Sequence, residues 1–328
     1  MNISIIGTGS WGTANAFLLA SEGHAVTVWG RDANFVEQVH RTRENSKSLP
    51  GVELPAGIRW TSDRATAMKD ADVVVVAVPS RYFEDICRTF VPYLPQDVTI
   101  VSLTKGFCPR TYRRMTEIAA ETFGTTHVAA LSGPSHAEEV VKGMPTAVTV
   151  AAAEPSRARL IQTVWSGPRF RVYTSADPVG VEIGGAVKNV LAIAVGCSDG
   201  MGFGDNTRAA LITRGLVEMK RFVLAYGGQE ETLNGLAGIG DLIVTCTSVH
   251  SRNHSVGERL GKGEKIEDVL GSMQMVAEGV WNSKVVHEIA KKLGVDMPIC
   301  EMVYALCYKG LSAKDAAKKV MERPLTSE

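Results

Sequence analysis

The sequence predicts an α/β fold: a Rossmann-type, doubly wound, mostly parallel sheet followed by an all-α C-terminal domain. Three observations predict it. Short β-branched runs alternate with helical stretches over the first half, Val73–Val78 is an unbroken apolar run, and strand patterns stop after about Asp177. A strand apolar on both faces is what a central parallel strand needs when helices cover both sides. Alternation of strands with helical patterns then implies a doubly wound sheet.

Taken in order, the strand patterns lie at Ile3–Ile6, Ala25–Val28, Ile58–Trp60, Asp72–Val78, Val98–Ser102, Val128–Leu131, Thr146–Val150 and Phe170–Tyr173. Helical patterns lie between most of them, at Thr13–Ala20, Ser80–Phe90 and Thr111–Thr122 for example. Beyond Asp177 the patterns are helical only: Val179–Cys197, Asn206–Tyr226, Arg252–Leu260, Ile266–Leu270, Gly279–Leu293 and Ala313–Met321. The expected domains are 1–177 and 178–328, with no internal repeat and a frayed tail past Arg323.

A chain of 328 residues exceeds one compact core, which agrees with two domains. Lys plus Arg equals Asp plus Glu at 35 each, so no global field favours nucleic acid or an anionic membrane, and an anionic ligand must be caught by placed groups. The apolar run Pro178–Cys197 reaches membrane-spanning length but carries Glu182, Lys188 and Asn189. Charges at mid-span cost roughly 2.5–3.5 kcal/mol each, so the run reads as a buried core helix without stable membrane insertion. Met1–Ile6 runs into a strand without a signal-peptide pattern, and the six cysteines lack CxxC spacing. Together these lead to the expectation of a cytoplasmic protein with reduced thiols.

Gly7-Thr8-Gly9-Ser10-Trp11-Gly12 is a G-x-G-x-x-G that follows a strand and opens a helix. Its first glycine permits a tight turn, its second lets backbone approach a pyrophosphate, and its third lets the helix pack closely. The helix N-terminus adds free N–H groups and the positive end of a dipole. The second strand ends Trp29-Gly30-Arg31-Asp32. An acidic residue at that tip suits the ribose hydroxyls of NAD, whereas an Arg accommodates the 2′-phosphate of NADP, so Arg31 leans the reading towards NADP. Arg31 as a solvated loop charge is the bland alternative.

Lys188 lies in the apolar helix pattern Val181–Ala192 and must be paired, snorkelled or functional there. Glu182 is six positions away and cannot be its i,i+4 partner. A desolvated lysine exchanges its proton nearer neutrality and suits acid–base work. Thr104-Lys105-Gly106 follows a strand at the ligand-binding edge of the sheet, which points Lys105 at the cleft. Gly133 and Ser135 occupy another strand-to-helix turn, where Ser135 serves either a ligand or the helix as a cap. Ser251 has the character of an N-cap, placing Arg252 and Asn253 in a first helical turn. A cation there opposes the dipole unless an anion such as phosphate binds. His250 and His254, and His136 beside Glu138 and Glu139, lack a ligand set, and no metal site is expected.

GTGSWG, AVPS (77–80), LTKG (103–106), LSGPS (131–135), EIGGAVKNV (182–190), GIGDLIVTC (238–246) and SRN (251–253) occur together and in order. In this the chain resembles the NAD(P)-dependent sn-glycerol-3-phosphate dehydrogenases of the bacterial type, from Ile3 to about Lys309. The resemblance implies hydride transfer between NADPH or NADH and C2 of dihydroxyacetone phosphate, giving sn-glycerol 3-phosphate for glycerophospholipid synthesis. It implies Lys188 as proton donor and acceptor, Lys105 at substrate and cofactor, and Asp241 orienting the two-lysine site. Gly133, Ser135, Ser251, Arg252 and Asn253 would hold substrate, with Arg252 also near the cofactor. Ser10, Trp11, Arg31, Ala137, Val276 and Glu278 would line the dinucleotide. Many members carry His where Arg31 stands. A homodimer is the expected assembly. Ketopantoate reductases and 6-phosphogluconate-type dehydrogenases share the two-domain plan, but the SRN helix start and the LTKG turn argue against them. A non-catalytic dinucleotide sensor and a methyltransferase are the rivals of other classes.

Overall fold

The computed structural model describes residues 1–273 and 277–325. The chain forms two compact units, Met1–Glu182 and Ile183–Glu328. In chain order the first comprises β1 (Asn2–Ile6), α1 (Ser10–Ser21), β2 (Ala25–Trp29), α2 (Ala33–Thr42), β3 (Arg59–Thr61), α3 (Arg64–Met68), β4 (Val73–Val76) and α4 (Ser80–Arg88). Then come β5 (Thr99–Ser102), α5 (Met115–Phe123), β6 (Val128–Ser132), α6 (Ala137–Val141), β7 (Thr146–Ala152), α7 (Pro155–Trp165) and β8 (Phe170–Ser175).

The strands form one sheet in the order β3-β2-β1-β4-β5-β6-β7-β8. Each overlaps a strand pattern of the sequence, and all neighbours are parallel except β6 and β7. The valine run behaves as a central strand must. Val73 and Val75 enter one apolar core with Leu19, Phe35, Trp165 and Phe170, whereas Val74 and Val76 enter another with Trp29, Phe83, Phe90 and Met115. A period of two thus feeds both faces of the sheet. Trp29 and Phe90 meet edge to face at 5.0 Å.

The helix expected from Thr111 starts instead at Met115. Phe107 and Arg114 pair as a bridge, Tyr112 takes φ 60, and Glu117 Oε2 accepts from Arg114 N at 2.9 Å at the start of α5, so residues 107–114 are a closed turn.

The helix α8 (Pro178–Gly200) begins in the first unit and continues through the second. It is followed by α9 (Asp205–Ala225), α10 (Asp241–Thr247), α11 (Arg252–Gly261), α12 (Ile266–Ser272), α13 (Glu278–Leu293), α14 (Pro298–Tyr308) and α15 (Ala313–Met321), with no strand among the described residues. Two of these, α10 and α14, escape the sequence reading. The most apolar stretch of α8 is 89% buried within the protein, as a core helix.

Within the second unit α8 packs on α11 at backbone distance. A Cβ on Gly196 or Gly200 would lie 2.1 Å from the carbonyl oxygens of His254 or Glu258, and one on Gly257 would lie 2.1 Å from that of Ile193. Glycines four apart on each helix, Gly196 and Gly200 against Gly257 and Gly261, form this seam.

Candidate active site

In the first unit, β1 ends at the glycine loop, and each glycine has a separate reason to be there. Gly7 has φ +123, and a Cβ on it would stand 2.4 Å from Ala77 O. Gly12 lies so close to the loop that a Cβ would meet Gly7 O at 2.6 Å, whereas Gly9 faces open space. Gly9 is also the N-cap of α1 and offers no side chain to its N–H groups. The buried indole Nε1 of Trp11 has no hydrogen-bond partner among the described residues. An open backbone turn at a helix start with an unmatched donor beside it fits a dinucleotide pyrophosphate.

At the tip of β2, Asp32 is used locally: its Oδ1 accepts from Phe35 N at 3.1 Å and caps α2. Arg31 beside it is exposed. At the ends of β5 and β6, three sequence candidates come together. Lys105 Nζ donates to Gly133 O at 3.1 Å, and Ser135 Oγ donates to the same oxygen at 2.9 Å. Ser135 therefore does not cap α6, whose N-cap is His136. Gly133 takes φ +148, and a Cβ there would meet Val148 Cα at 2.9 Å. Ala137 opens α6 and is buried.

In the second unit Lys188 is paired. It is 5% exposed, and its Nζ lies 2.6 Å from both Asp241 Oδ1 and Thr245 Oγ1, while Asp241 is 1% exposed. The ion pair compensates the burial of two charges that neither residue could carry alone. Thr245 Oγ1 also bonds Asp241 O at 2.6 Å. Asp241 and Thr245 are i,i+4 on α10, immediately after a π-helical turn at Leu236–Gly240. Thr245 is absent from the sequence candidates, although that spacing from Asp241 is a signal that would have found it. The Cys246 thiol next to it is pushed up to about 12 by burial and is no nucleophile at neutral pH.

Ser251 caps α11 as expected, accepting from His254 N at 3.2 Å. Arg252 is exposed on the first turn, whereas Asn253 is buried. Asn253 Nδ2 donates to Asn189 Oδ1 at 2.9 Å, and its Oδ1 accepts from Gly279 N at 2.9 Å. One amide thus joins the residue after Lys188, the start of α11 and the start of α13, where Glu278 sits. Val276 lies outside the described residues. His254 Nε2 lies 2.8 Å from Asp199 Oδ2, and no cluster of three or more metal-ligating side chains occurs among the described residues.

Glu182 answers to Arg114 instead of Lys188. Its Oε2 accepts from Arg114 Nη1 at 2.6 Å and its Oε1 from Thr116 N at 2.8 Å. Burial pushes its carboxyl up, and Arg114 and Thr116 pull the other way. The sequence offers no signal for a partner so remote in the chain.

A Rossmann unit with an open glycine loop, followed by a helical unit holding a buried Lys–Asp pair, defines a class: two-unit nicotinamide-dinucleotide dehydrogenases. Comparison with known proteins narrows it. The family described as NAD-dependent glycerol-3-phosphate dehydrogenase matches with its N-terminus over residues 2–158 and its C-terminus over residues 177–318. A glycerol-3-phosphate dehydrogenase [NAD(P)+] of Geobacter sp. (strain M21) is 48% identical over 329 aligned positions, covering 99% of this chain and 98% of the relative. The 2.1 Å crystal structure of glycerol-3-phosphate dehydrogenase from Coxiella burnetii superposes with a TM-score of 0.95 at 37% identity, covering 98% of this chain and 99% of that one. The chain belongs to the NAD-dependent glycerol-3-phosphate dehydrogenase family. A ketopantoate reductase from Ralstonia eutropha shares the fold alone, with a TM-score of 0.62 at 16% identity over 98% of this chain and 100% of that one.

Proposed function

We propose that the chain catalyses reversible hydride transfer between NAD(P)H and C2 of dihydroxyacetone phosphate, yielding sn-glycerol 3-phosphate. The observation that carries this reading is Lys188, buried in an apolar helix with its Nζ 2.6 Å from Asp241 and Thr245. When bound, the nicotinamide supplies the hydride. Lys188 gives its proton to the C2 oxygen during reduction and takes it back during oxidation, and its charge stabilises the developing alkoxide. Asp241 holds the ammonium in place, and Thr245 fixes its direction.

Lys105, Gly133 and Ser135 contact the substrate, with Lys105 also at the cofactor. Arg252 grips the phosphate at the start of α11, where Ser251 caps the turn, and Arg252 also reaches the cofactor. Asn253 keeps one Nδ2 hydrogen for a phosphate oxygen, because the amide's other contacts go to Asn189 and Gly279. This grip holds C2 in line for transfer, a positioning effect. Gly7, Gly9, Ser10, Trp11, Gly12, Arg31, Ala137, Val276 and Glu278 line the dinucleotide, and Arg31 favours NADP over NAD. The enzyme acts as a cytoplasmic homodimer at the head of glycerophospholipid synthesis. Its domains are 1–177 for the cofactor and 178–328 for the substrate.

The test is a steady-state assay with dihydroxyacetone phosphate that follows loss of reduced-nicotinamide absorbance with NADPH and NADH in parallel. Oxidation with this ketone but not with unphosphorylated dihydroxyacetone is the expected result. Clean NADPH binding with neither cofactor oxidised would overturn the substrate.

A further inference from the structure

The segment after α2 carries no part of the chemistry above, yet it places a fully buried amide against the glycine loop. Asn45 is 0% exposed. Its Nδ2 donates to Thr8 O at 2.9 Å and to Thr13 Oγ1 at 2.8 Å, while its Oδ1 accepts from Ser48 N at 3.0 Å. Ser48 N demands an acceptor and Thr8 O demands a donor, so the amide can face only one way. Its two hydrogens are therefore spent, one on the turn between β1 and α1 and one on the first turn of α1.

We propose that Asn45 is a positioning residue for the dinucleotide, acting through the peptide between Thr8 and Gly9. The inference rests on the reading of the glycine loop as the pyrophosphate site. That peptide is trans, since no cis bond occurs among the described residues, so its C=O and N–H point in opposite directions. Drawing Thr8 O inward to Asn45 turns Gly9 N–H outward, on a residue that faces open space. Gly9 O meanwhile accepts from Thr13 N at 2.9 Å as the first turn of α1 closes. Thr13, itself 0% exposed, is held by the same amide. The donor that meets an incoming phosphate is thus aimed by a side chain more than thirty residues away in sequence, one that no glycine-loop motif includes.

The test compares Asn45→Ala, Asn45→Asp and Thr13→Val with the wild type. Dissociation constants are measured by fluorescence titration with NADPH and with ADP-ribose, which keeps the pyrophosphate and lacks the nicotinamide. For Asn45→Ala, both constants should rise together by about tenfold, the scale of one lost supporting contact. The kcat at saturating NADPH and the KM for dihydroxyacetone phosphate should stay within about twofold, because the reacting groups are untouched. Asn45→Asp keeps the acceptor for Ser48 and loses both donors, so it should behave as Asn45→Ala does. Thr13→Val should shift both constants in the same direction by less, and it carries the test if the Asn45 variants do not fold. Unchanged constants in folded variants, or wild-type affinity in Asn45→Asp, would overturn the proposal. Failure of the wild type to bind either nucleotide would overturn the glycine-loop reading and this inference with it.

Discussion

Lys188 and Asp241 stand 53 residues apart in sequence and 2.6 Å apart in space, at 6% and 1% side-chain exposure. Removing either partner leaves a buried charge uncompensated, which costs about 3–5 kcal/mol. Asp241→Asn should therefore lower stability by that order and kcat by about a hundredfold. Lys188→Ala removes the proposed proton donor and should lower kcat by about a thousandfold, within the range general acid catalysis supplies. NADPH affinity should hardly move in Lys188→Ala. Because the two residues act as a unit, the double variant should lose far less than the product of the single losses. Near-normal turnover in Lys188→Ala would remove that residue from its role.

The seam between α8 and α11 makes a prediction about stability with its own control. A methyl group on Gly257 would stand 2.1 Å from Ile193 O and 2.8 Å from Cys197 N, both backbone atoms. Neither atom can rotate away, so Gly257→Ala should force the helices apart at about 1–3 kcal/mol. Gly271, within α12, has nothing within 4 Å of a Cβ, and alanine there should gain about 0.5–1 kcal/mol from helix propensity. Urea denaturation midpoints that moved the same way in both variants would refute the seam.

Much of the fold is legible because its strands announce themselves. A β-branched run such as Val73–Val76 is apolar for a reason that needs no partner to be known, and each of the eight strands overlaps such a pattern. The reversal between β6 and β7 is not legible, since either direction buries the same side chains. Nor is α14, whose segment PICEMVYALCY carries little polar punctuation to separate a helix from a buried strand. In the site, Gly7 and Gly12 are readable from the motif because the conflict they avoid is local. The partner of Lys188, the Arg114–Glu182 pair and the Asn45 amide are contacts between distant segments, and only the folded chain brings them together.

The proposed preference for NADP rests on two neighbouring residues with different duties. Asp32 commits its Oδ1 to Phe35 N at the start of α2, and its exposed neighbour Arg31 is the cation at the tip of β2 suited to meet a 2′-phosphate. Arg31→Ala should raise the KM for NADPH about tenfold, the scale of a charge-assisted contact, and change that for NADH little. A loss no larger for NADPH than for NADH would sink this assignment.

A pH dependence of stability should come from Glu218 on α9, far from any proton-transfer role. Its carboxylate accepts from Ile299 N at 2.7 Å and Cys300 N at 3.1 Å, capping α14, whose own N-cap offers no side-chain bond. Burial pushes its carboxyl up to about 7, against the pull of those two N–H groups, and the charge of Asp296 adds to the rise. The Cys300 thiol is pushed up in turn by burial and by Glu218. Between the usual glutamate value of 4.5 and about 7, the folded state holds a proton that the unfolded chain has released. Stability contributed by this group is thus complete below the lower value, falls as pH rises through the interval, and is level above it. At 1.36 kcal/mol per unit, the fall is on the order of 3 kcal/mol. Glu218→Gln keeps an acceptor for the α14 N–H groups and cannot ionise, so its urea midpoint should be flatter than the wild type's from pH 5 to pH 7. Equal slopes in the two proteins across that window would show that Glu218 does not titrate there.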